Sequence, residues 1–411
     1  MVEKSGALES LKISEFRNFI ISRLIITVAL QMQSVIVGWQ IYEITRDPLS
    51  LGLIGIAEAI PAISITLYAG HLVDISDRKK ILVRAVYFMI LAALMLSVIS
   101  YDIIEEISRY KVVSIYFVIF VTGLTRGFTA PSSFALMPQL IPEKILPNAI
   151  SWNTFAWQTG AVTGPAIGGF TVAYFGFDDS YLLIAGLLFL SSLLMLTISK
   201  KPVPVPEKME TPLQRVKEGI RFVFSNKIIL HSISLDLFAV LFGGAVVLLP
   251  VFAGEILEVG AEGLGILRAA PAVGAVVMAL ALTKLSFVNR NAGFNLIWSV
   301  AGFGVSIIVF GLSGNFYLSV FALFMSGLFD SISVVIRSTI IQTMTPENMK
   351  GRVSSVNSIF IGSSNEIGAF ESGVAAKILG VVPSVIFGGS MTLLITLLTG
   401  WKARNLRKLK L

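Results

Sequence analysis

Twelve long apolar runs dominate this sequence, and they limit what the chain can fold into. A helix needs about 20 mostly apolar residues to cross the hydrocarbon core of a bilayer. Of the 411 residues, 55% are hydrophobic and 14% are charged, whereas soluble globular chains are about 25% charged. The composition excludes an ordinary soluble enzyme, a disordered chain and a coiled-coil rod, and it predicts an integral membrane protein. The runs lie near residues 16–44, 50–72, 81–101, 112–135, 148–174, 180–199, 228–253, 260–283, 292–312, 315–340, 354–378 and 382–401.

The continuity of these runs favours helices over a membrane β-barrel. A barrel strand would alternate apolar and polar residues over about ten positions, whereas stretches such as Leu182–Leu196 show no such alternation. Helices also satisfy every backbone polar group internally, as lipid requires. The first 15 residues are polar and lack the apolar region of a cleavable signal peptide. We therefore expect an all-α membrane protein with twelve spans, the first of which is permanent.

The distribution of lysine and arginine predicts how the chain is oriented. If the N-terminus is cytoplasmic, the inner loops and the two terminal segments together carry 24 of these residues, and the outer loops carry three. Basic residues are enriched in cytoplasmic loops, so we expect a multi-pass protein of the cell inner membrane with both termini in the cytoplasm. The basic segment 402–410 is interpreted as an anchor on anionic lipid. The net charge of +7 then requires no nucleic-acid partner.

One long polar segment divides the spans into two sets of six. It begins with Lys-Lys-Pro-Val-Pro-Val-Pro, which favours extended backbone. Residues 212–226 follow with helical apolar spacing, which suits an amphipathic helix lying on the inner membrane surface. The predicted domains are an N-terminal six-helix bundle at 1–199, a cytoplasmic linker at 200–227, and a C-terminal six-helix bundle with a basic tail at 228–411.

The two sets of spans resemble an internal repeat. Offsets of 204 and 210 residues superimpose glycines and prolines of the two sets: Gly123 on Gly327, Gly164 on Gly368, and Pro61 on Pro271. These are turn and close-packing residues, where chance agreement is less expected than at apolar positions. Duplicated six-helix halves are a transporter architecture in which the substrate binds between the halves near the midplane.

The sequence lacks the residues that several kinds of chemistry need. It has no cysteine and only two histidines, His71 and His231, so thiolate and multi-histidine metal sites are not expected. The phosphate-binding motif Gly-x4-Gly-Lys-Ser/Thr is absent, so we do not expect the chain to hydrolyse ATP. The sequence shows neither a metal motif nor a nucleophile–base set that would indicate an enzyme. We expect no cofactor.

The loop after the second run resembles a motif of the major facilitator superfamily. Residues 70–80 read Gly-His-Leu-Val-Asp-Ile-Ser-Asp-Arg-Lys-Lys, which is similar to Gly-x3-Asp-x3-Arg-Lys/Arg-Lys/Arg. Asp77 stands where that motif usually has glycine, and this departure resembles the bacterial exporter branch that includes enterobactin-type siderophore exporters. The resemblance implies a major facilitator fold with twelve transmembrane helices in two pseudo-symmetric six-helix bundles.

The charges of this loop also have a physical use that does not depend on the resemblance. Asp74 lies near the start of span 3, where a helix N-terminus favours negative charge. Arg78 can reach a carboxylate or the carboxyl ends of helices in the other half. Contacts made only when the inner side is closed would bias a two-state equilibrium by roughly 1–3 kcal/mol. We expect a gating loop of Gly70, Asp74, Arg78 and Lys79, although these basic residues could also be positive-inside anchors alone.

Span 5 carries a series of small residues and one proline: Gly160, Gly164, Pro165, Gly168 and Gly169. Three of its glycines are one turn apart and share a face, which lets another helix approach closely. The proline removes a backbone hydrogen bond and favours a bend. The spacing is similar to a superfamily motif of exporters and antiporters, which implies efflux. The alternative is a generic close-packing helix.

Polar and ionisable side chains inside the spans are candidates for the transport site, because a charge there costs about 3 kcal/mol or more. In span 1, Arg23, Gln31 and Gly38 belong to a polar or small stripe that should face a water-filled cavity. The candidate substrate and proton residues are Asp236, Arg23, Glu58, Arg126, Arg268, Asp330, Glu366 and Gln31.

The repeat offsets bring opposite charges to equivalent places. They place Arg126 on Asp330 and Glu58 on Arg268, so that each pair could meet across the cavity. The alternative is that such charges only neutralise one another or line an entry vestibule.

Proton coupling needs a carboxylate that is protonated in one state and ionised in another, and burial and nearby charges tune that balance. Asp236 is the first choice because His231, Ser232 and Ser234 are its polar neighbours in the sequence. Ile119 occupies the arginine position of the span-4 motif of drug/proton antiporters. Proton coupling is therefore inferred from the resemblance and the missing ATPase motif.

These features predict a secondary transporter that exports a small amphipathic molecule of the drug or siderophore class by alternating access, as a proton antiporter. One alternative is uptake, or flipping of a lysolipid-like or other small solute. Another is a membrane scaffold or sensor that transports nothing. The expected partners are a small-molecule substrate, protons and membrane lipid, without nucleic acid, and the chain is expected to be a monomer.

Overall fold

The computed structural model describes residues 8–101, 109–203, 212–282, 291–346 and 349–409. Within these residues the regular secondary structure is helical throughout, so the prediction of an all-α protein is confirmed. The long helices are α1 (Ser14–Thr45), α2 (Pro48–Ile75), α3 (Arg78–Ser100), α4 (Lys111–Leu136), α5 (Leu146–Leu196), α6 (Pro212–Ser225), α7 (Lys227–Phe242), α8 (Gly260–Leu282), α9 (Ala292–Leu312), α10 (Phe316–Met344), α11 (Lys350–Leu379) and α12 (Val381–Lys402).

Side chains that cap helix N-termini explain where two of these helices begin. Asp77 precedes α3, and its carboxylate accepts a hydrogen bond from the backbone N–H of Lys80 at 3.2 Å. Asn226 precedes α7 and accepts from the backbone N–H of Ile228 at 3.1 Å. Both side chains satisfy N–H groups that have no partner inside the helix. The aspartate that departs from the loop motif therefore has a local structural role at the start of α3.

Ten helical segments of the described residues are long and apolar enough to cross a membrane. Predicted spans 5 and 6 both lie in α5, which is interrupted at Gly176, where the backbone leaves the helical region at φ 78° and ψ −177°. Glycine adopts a positive φ with little strain. The helix α11 is not among the ten, and it carries the charges of Glu366, Glu371 and Lys377 along its length.

The seventh predicted span differs from a single continuous helix. The helix α7 ends at Phe242 with Gly243 as its C-cap, and short helical turns continue to Ile256. A Cβ atom at Gly243 would lie 2.5 Å from a ring carbon of Phe303, and one at Gly244 would lie 3.0 Å from the hydroxyl of Ser372. The glycine pair therefore permits close packing against α9 and α11 at the point where α7 stops.

The chain divides into two compact units. Unit 1 comprises residues 1–44 and 57–209, and unit 2 comprises residues 45–56 and 210–411. The helix α2 belongs to both, since the division falls between residues 56 and 57. The predicted domain boundaries at 199/200 and 227/228 remain a prediction.

Equivalent glycines make equivalent close contacts in the two units. In unit 1, a Cβ atom at Gly123 of α4 would lie 2.8 Å from Pro61 of α2. In unit 2, a Cβ atom at Gly327 of α10 would lie 1.8 Å from the carbonyl oxygen of Pro271 of α8. The repeat offsets superimpose these same residues, so the internal repeat of the sequence corresponds to a repeated helix–helix contact.

The linker helix α6 belongs to unit 2 and packs against α11 within it. A Cβ atom at Gly219 would lie 2.7 Å from the carbonyl oxygen of Arg352, and Glu218 forms an ion pair with Arg352. Val223 is fully buried in the core that surrounds Ile336. Part of the apolar face predicted to lie on the membrane surface is thus buried in protein, because the glycine lets α6 approach the backbone of α11 closely.

Candidate functional site

Two enclosed charges of opposite sign meet in unit 2. Asp236 of α7 and Arg337 of α10 form an ion pair, and their side chains are 8% and 4% exposed. Removing one partner of such a pair leaves the other buried without a counter-charge, which is strongly destabilising. Asp236 was predicted as a site residue, whereas Arg337 was not among the predicted site residues. The sequence feature that could have suggested this ion pair was an arginine in one apolar run and an aspartate in another.

Asp330, a second predicted carboxylate, lies in the same region of unit 2. It lines a small cavity together with Asp236, Ser299 and Ser333. The structure therefore brings together Asp236 and Asp330, which are 94 residues apart in the sequence, beside an arginine. Two carboxylates and a guanidinium in apolar surroundings form an arrangement that can bind and release a proton.

Two of the three sequence neighbours expected around Asp236 lie elsewhere. His231 and Ser234 line a different groove of about 360 Å³ between α7 and α12. The hydroxyl of Ser232 donates to the carbonyl oxygen of Ile229 at 2.9 Å, within its own helix. Residues two and five positions from Asp236 point to other faces of a helix with 3.6 residues per turn, whereas Ser232, four positions away, shares the face of Asp236.

Unit 1 contains another predicted pair of charges. Glu58 of α2 forms an ion pair with Arg126 of α4, and their side chains are 20% and 47% exposed. The contact is possible because Gly123, one turn earlier on α4, lies directly against the backbone of α2 at Glu58. An ion pair this exposed contributes little to stability. The pairs indicated by the repeat, Arg126 with Asp330 and Glu58 with Arg268, remain predictions.

The polar stripe of α1 lies beside α5. Arg23 is partly buried and donates from Nη1 to the hydroxyl of Ser133 at 3.3 Å. Gln31 is also partly buried, and its Cβ atom lies 2.6 Å from where a Cβ atom of Gly164 would be. The polar stripe of α1 therefore contacts the glycine face of α5 at Gln31.

That glycine face holds α5 close to α1. Cβ atoms at Gly160, Gly164 and Gly168 would lie 2.7, 2.6 and 2.9 Å from atoms of α1. Pro165 and Gly169 are buried in the same stretch. The helix continues through Pro165 and is interrupted at Gly176 instead, so the interruption falls eleven residues after the proline at which a bend was expected.

The predicted gating loop begins at the end of α2. Gly70 has no atom within 4 Å of where its Cβ atom would lie, so packing does not require a glycine there. The backbone of Asp74 is in the last turns of α2, and its side chain lies outside the described part of the chain. The function of this part of the loop remains a prediction.

The two basic residues of the loop contact helix C-termini within unit 1. Arg78 donates from Nη1 to the carbonyl oxygen of Ala135 at 3.0 Å, near the end of α4. Lys79 donates from Nζ to the carbonyl oxygen of Leu196 at 3.0 Å, at the end of α5. Cations are favourable at helix C-termini. These contacts stabilise unit 1 itself, and a gating role for Arg78 and Lys79 remains a prediction.

The remaining predicted candidates are placed on two helices of unit 2. Arg268 lies on α8. Glu366 lies on α11, and its Oε2 atom is 3.2 Å from where a Cβ atom of Gly55 would be, so its side chain packs beside the start of α2. Within the described ranges, no group of three or more histidine, aspartate or glutamate residues could hold a metal ion.

A further ion pair joins the segment before α2 to the end of α11. Lys377 donates from Nζ to Oδ1 of Asp47 at 2.8 Å. Burial of the Asp47 carboxyl would by itself raise its pKa, but the hydrogen bond and charge of Lys377 outweigh this and lower the pKa below its ordinary value. The Lys377 side chain is 57% exposed, so the pair contributes less than about 1 kcal/mol.

We expect Lys377→Gln to lower the thermal midpoint by about 1–2 °C at pH 7 and low salt. Because the pKa of Asp47 is lowered in the folded state, the pair stabilises above the ordinary aspartate pKa of about 4. Its contribution is lost as the pH falls through the lowered folded value. The difference from wild type should therefore vanish in acid and shrink in 1 M salt. Lys217→Gln, an exposed lysine of α6, is the control, and a pH-independent difference would contradict this account.

Comparison with known proteins places this chain among membrane transporters. The sequence profile of a family described as transmembrane secretion effector matches residues 5–410. The enterobactin exporter EntS of Escherichia coli O81 (strain ED1a) is 26% identical over 387 residues, which cover 93% of this chain and 90% of that protein.

Two solved structures show the same fold at low sequence identity. A bacterial homologue of the iron transporter ferroportin, solved in an inward-facing state, is 15% identical with a TM-score of 0.72, covering 94% of this chain and 99% of that chain. A POT family transporter in complex with 5-aminolevulinic acid is 14% identical with a TM-score of 0.73, covering 98% of this chain and 99% of that chain.

Proposed function

The chain belongs to the transmembrane secretion effector family of the major facilitator superfamily, and on that premise we propose that it exports a small amphipathic molecule. Its family makes it a multi-pass secondary transporter and not an enzyme. The observation that carries the export proposal is the similarity to a protein named as an enterobactin exporter, which extends over 93% of the chain. Similarity over that length covers both units rather than one shared motif.

The substrate class in this proposal is a drug-like or siderophore-like molecule with both polar and apolar parts. Half-exposed charges such as Arg126 could bind a polar group of the substrate without the full cost of desolvation. Exposed aromatic residues of α5, including Phe155 and Trp157, could contact its apolar part, although aromatic residues also occur at lipid-facing positions.

The driving force in this proposal is the proton gradient, used for antiport by alternating access. The cluster of Asp236, Asp330 and Arg337 in unit 2 supports it, because two enclosed carboxylates beside one arginine can hold one proton in one state and release it in another. The proposal places the protein in the inner membrane as a monomer, with both termini in the cytoplasm.

Everted inner-membrane vesicles test direction and coupling together. An exporter in such vesicles should accumulate ethidium or enterobactin inside when respiration acidifies the lumen, and a protonophore should abolish the accumulation. Vesicles without the protein are the control for passive partition of these probes. Accumulation that is insensitive to the protonophore would contradict proton coupling, and loss of preloaded probe from the lumen on energisation would contradict export.

A second candidate function is the flipping of a lysolipid-like amphiphile, and the groove between α7 and α12 favours it. His231, Ser234 and Thr399 provide polar groups, while the remaining lining is apolar, with Phe238 and Leu398 among its residues. This pairing of chemistries suits a molecule with one polar and one apolar end. Transfer of a fluorescent lysolipid between leaflets of proteoliposomes, with no accumulation of ethidium or enterobactin, would support this function over export of a soluble molecule.

A further inference from the structure

A small cavity lies inside unit 2 beside the ion pair of Asp236 and Arg337. The centre of a water molecule can occupy about 10 Å³ of this cavity. A site for one water needs roughly that volume. The cavity therefore has room for about one water. It is lined by residues of α7, α9 and α10: Asp236, Ala239, Val240, Ser299, Val300, Phe303, Asp330 and Ser333.

One hydroxyl group in this lining lacks a partner. Ser333 is 2% exposed, and its hydroxyl makes no hydrogen bond within the described part of the chain. A buried polar group without a partner is costly, and an ordered water commonly satisfies such groups. Ser299 donates to the carbonyl oxygen of Leu296 at 2.9 Å, so its oxygen can still accept a hydrogen bond. A water in the cavity would have polar partners on three helices.

Asp330 differs from Asp236 in its surroundings. On α10, Ser333 and Arg337 lie three and seven residues after Asp330, so the three residues share one face of the helix. Asp236 is paired with Arg337, whereas the carboxylate of Asp330 makes no hydrogen bond or ion pair with another residue in the described ranges.

The charge of this cluster decides which carboxyl group is more easily protonated. With Asp236, Asp330 and Arg337 all ionised, the cluster carries one net negative charge, and one added proton makes it neutral. Enclosed charges are costly unless they are compensated. A proton on Asp236 would break its ion pair with Arg337, whereas a proton on Asp330 leaves the ion pair intact. Asp330 is therefore the less costly acceptor.

The helices around α10 add no other titratable group to the cavity. The helix α9 contributes only Ser299, Val300 and Phe303 to the lining, and neither α8 nor α11 contributes a residue. The other charged or titratable residues of the helices that contact α10 are Lys227 and His231 of α7, Glu262 and Arg268 of α8, and Lys350, Arg352, Glu366, Glu371 and Lys377 of α11.

We propose that Asp330 binds the coupled proton, and that one water held by Ser333 links it to the ion pair of Asp236 and Arg337. This inference rests on the proposed proton coupling. A proton from a hydronium ion in bulk water forms an O–H bond on the Asp330 carboxylate and leaves a neutral water behind, so the cluster changes from one net negative charge to none. Release to the other side of the membrane reverses the step and restores the charge.

Infrared difference spectroscopy during a pH titration tests which carboxyl titrates, and it needs no substrate. The purified full-length chain in lipid nanodiscs should show the carbonyl stretch of a protonated carboxyl group, and Asp330→Asn should remove that band. Asp236→Asn should retain the band but only at lower pH, because Asp330 is then the remaining counter-charge of Arg337. The double variant Asp236→Asn with Arg337→Gln removes that effect, should also retain the band, and guards against misfolding of the single variant. Glu258→Gln, an exposed position between α7 and α8, is the control. Ser333→Ala should shift the band without removing it.

Two results would overturn the inference: loss of the band in Asp236→Asn with its retention in Asp330→Asn, or a band that responds to sodium ions at constant pH. Proton movement during ethidium transport, followed with a pH-sensitive dye in proteoliposomes, separates this failure from failure of the proposed function. Wild-type transport without proton movement overturns the coupling itself. Coupled wild-type transport that Asp330→Asn leaves coupled overturns only the assignment of Asp330.

Discussion

Asp236→Asn should lower the thermal midpoint of the purified protein by about 6–20 °C, because it removes the carboxylate that the enclosed guanidinium of Arg337 contacts. The Arg337 side chain is 4% exposed, and breaking a buried ion pair from one side costs about 3–5 kcal/mol. Each kcal/mol lowers the midpoint of a domain of about 200 residues by about 2–4 °C. Heating in detergent with intrinsic tryptophan fluorescence as the signal measures the shift, since the chain has five tryptophans.

The double variant is the matched control for this prediction. Asp236→Asn combined with Arg337→Gln leaves no charge of the pair unpaired, so its midpoint should lie closer to wild type than that of either single variant. The coupling free energy from the double-mutant cycle should be about 1–3 kcal/mol. If the double variant instead lost the sum of the two single losses, the two side chains would not be interacting as the structure has them.

Gly327→Ala should also lower the thermal midpoint, for a steric reason. The added Cβ atom would lie 1.8 Å from the carbonyl oxygen of Pro271, so either α8 or α10 must shift. Because the obstructing atom belongs to the backbone, no side-chain rotation relieves the overlap, and overpacking of this kind costs about 1–3 kcal/mol or more. We expect a midpoint lower by about 5 °C or more, together with a reduced yield of monodisperse protein in size-exclusion chromatography.

Two further glycine substitutions, one expected to destabilise and one expected to be neutral, make this test specific. Gly123→Ala, at the equivalent place in unit 1, should also destabilise, since its Cβ atom would lie 2.3 Å from the carbonyl oxygen of Glu58. Gly362→Ala in α11 should be neutral or slightly stabilising, because nothing lies within 4 Å of its Cβ position and alanine favours helix by up to about 1 kcal/mol. A Gly327→Ala protein as stable as Gly362→Ala would show that α8 and α10 do not approach this closely.

Hydropathy predicted the helices because membrane crossing is a local property of the sequence. About 20 apolar residues are enough to fill the bilayer wherever they occur, so the positions of α1 to α5 and of α7 to α12 follow from the runs. The internal repeat was also visible, since glycines are required where helix backbones meet, as at Gly123 and Gly327. The stop of α7 at the pair Gly243 and Gly244 was not predicted, because apolar residues continue on both sides of it.

Partners in the candidate site could not be predicted from the sequence. Asp236 and Arg337 are 101 residues apart, and only the packing of α7 against α10 brings them together. The preference for Asp236 relied on its sequence neighbours, most of which point to other faces of α7. Lys377 and Asp47 are 330 residues apart and present the same difficulty. Charge pairing depends on helix rotation and register, which apolar runs of this length leave undetermined.

A chain that crosses the membrane as proposed has the start of α3 and the interruption of α5 on opposite faces of the bilayer. The chain has no cysteine, so Lys80→Cys and Asp179→Cys, both at exposed positions, give one label site each. A membrane-impermeant maleimide added to intact cells should label the cysteine at position 179 only, and permeabilised cells should show labelling at both positions. Labelling of both cysteines from the same side of the membrane would contradict the proposed topology and the transport function that depends on it.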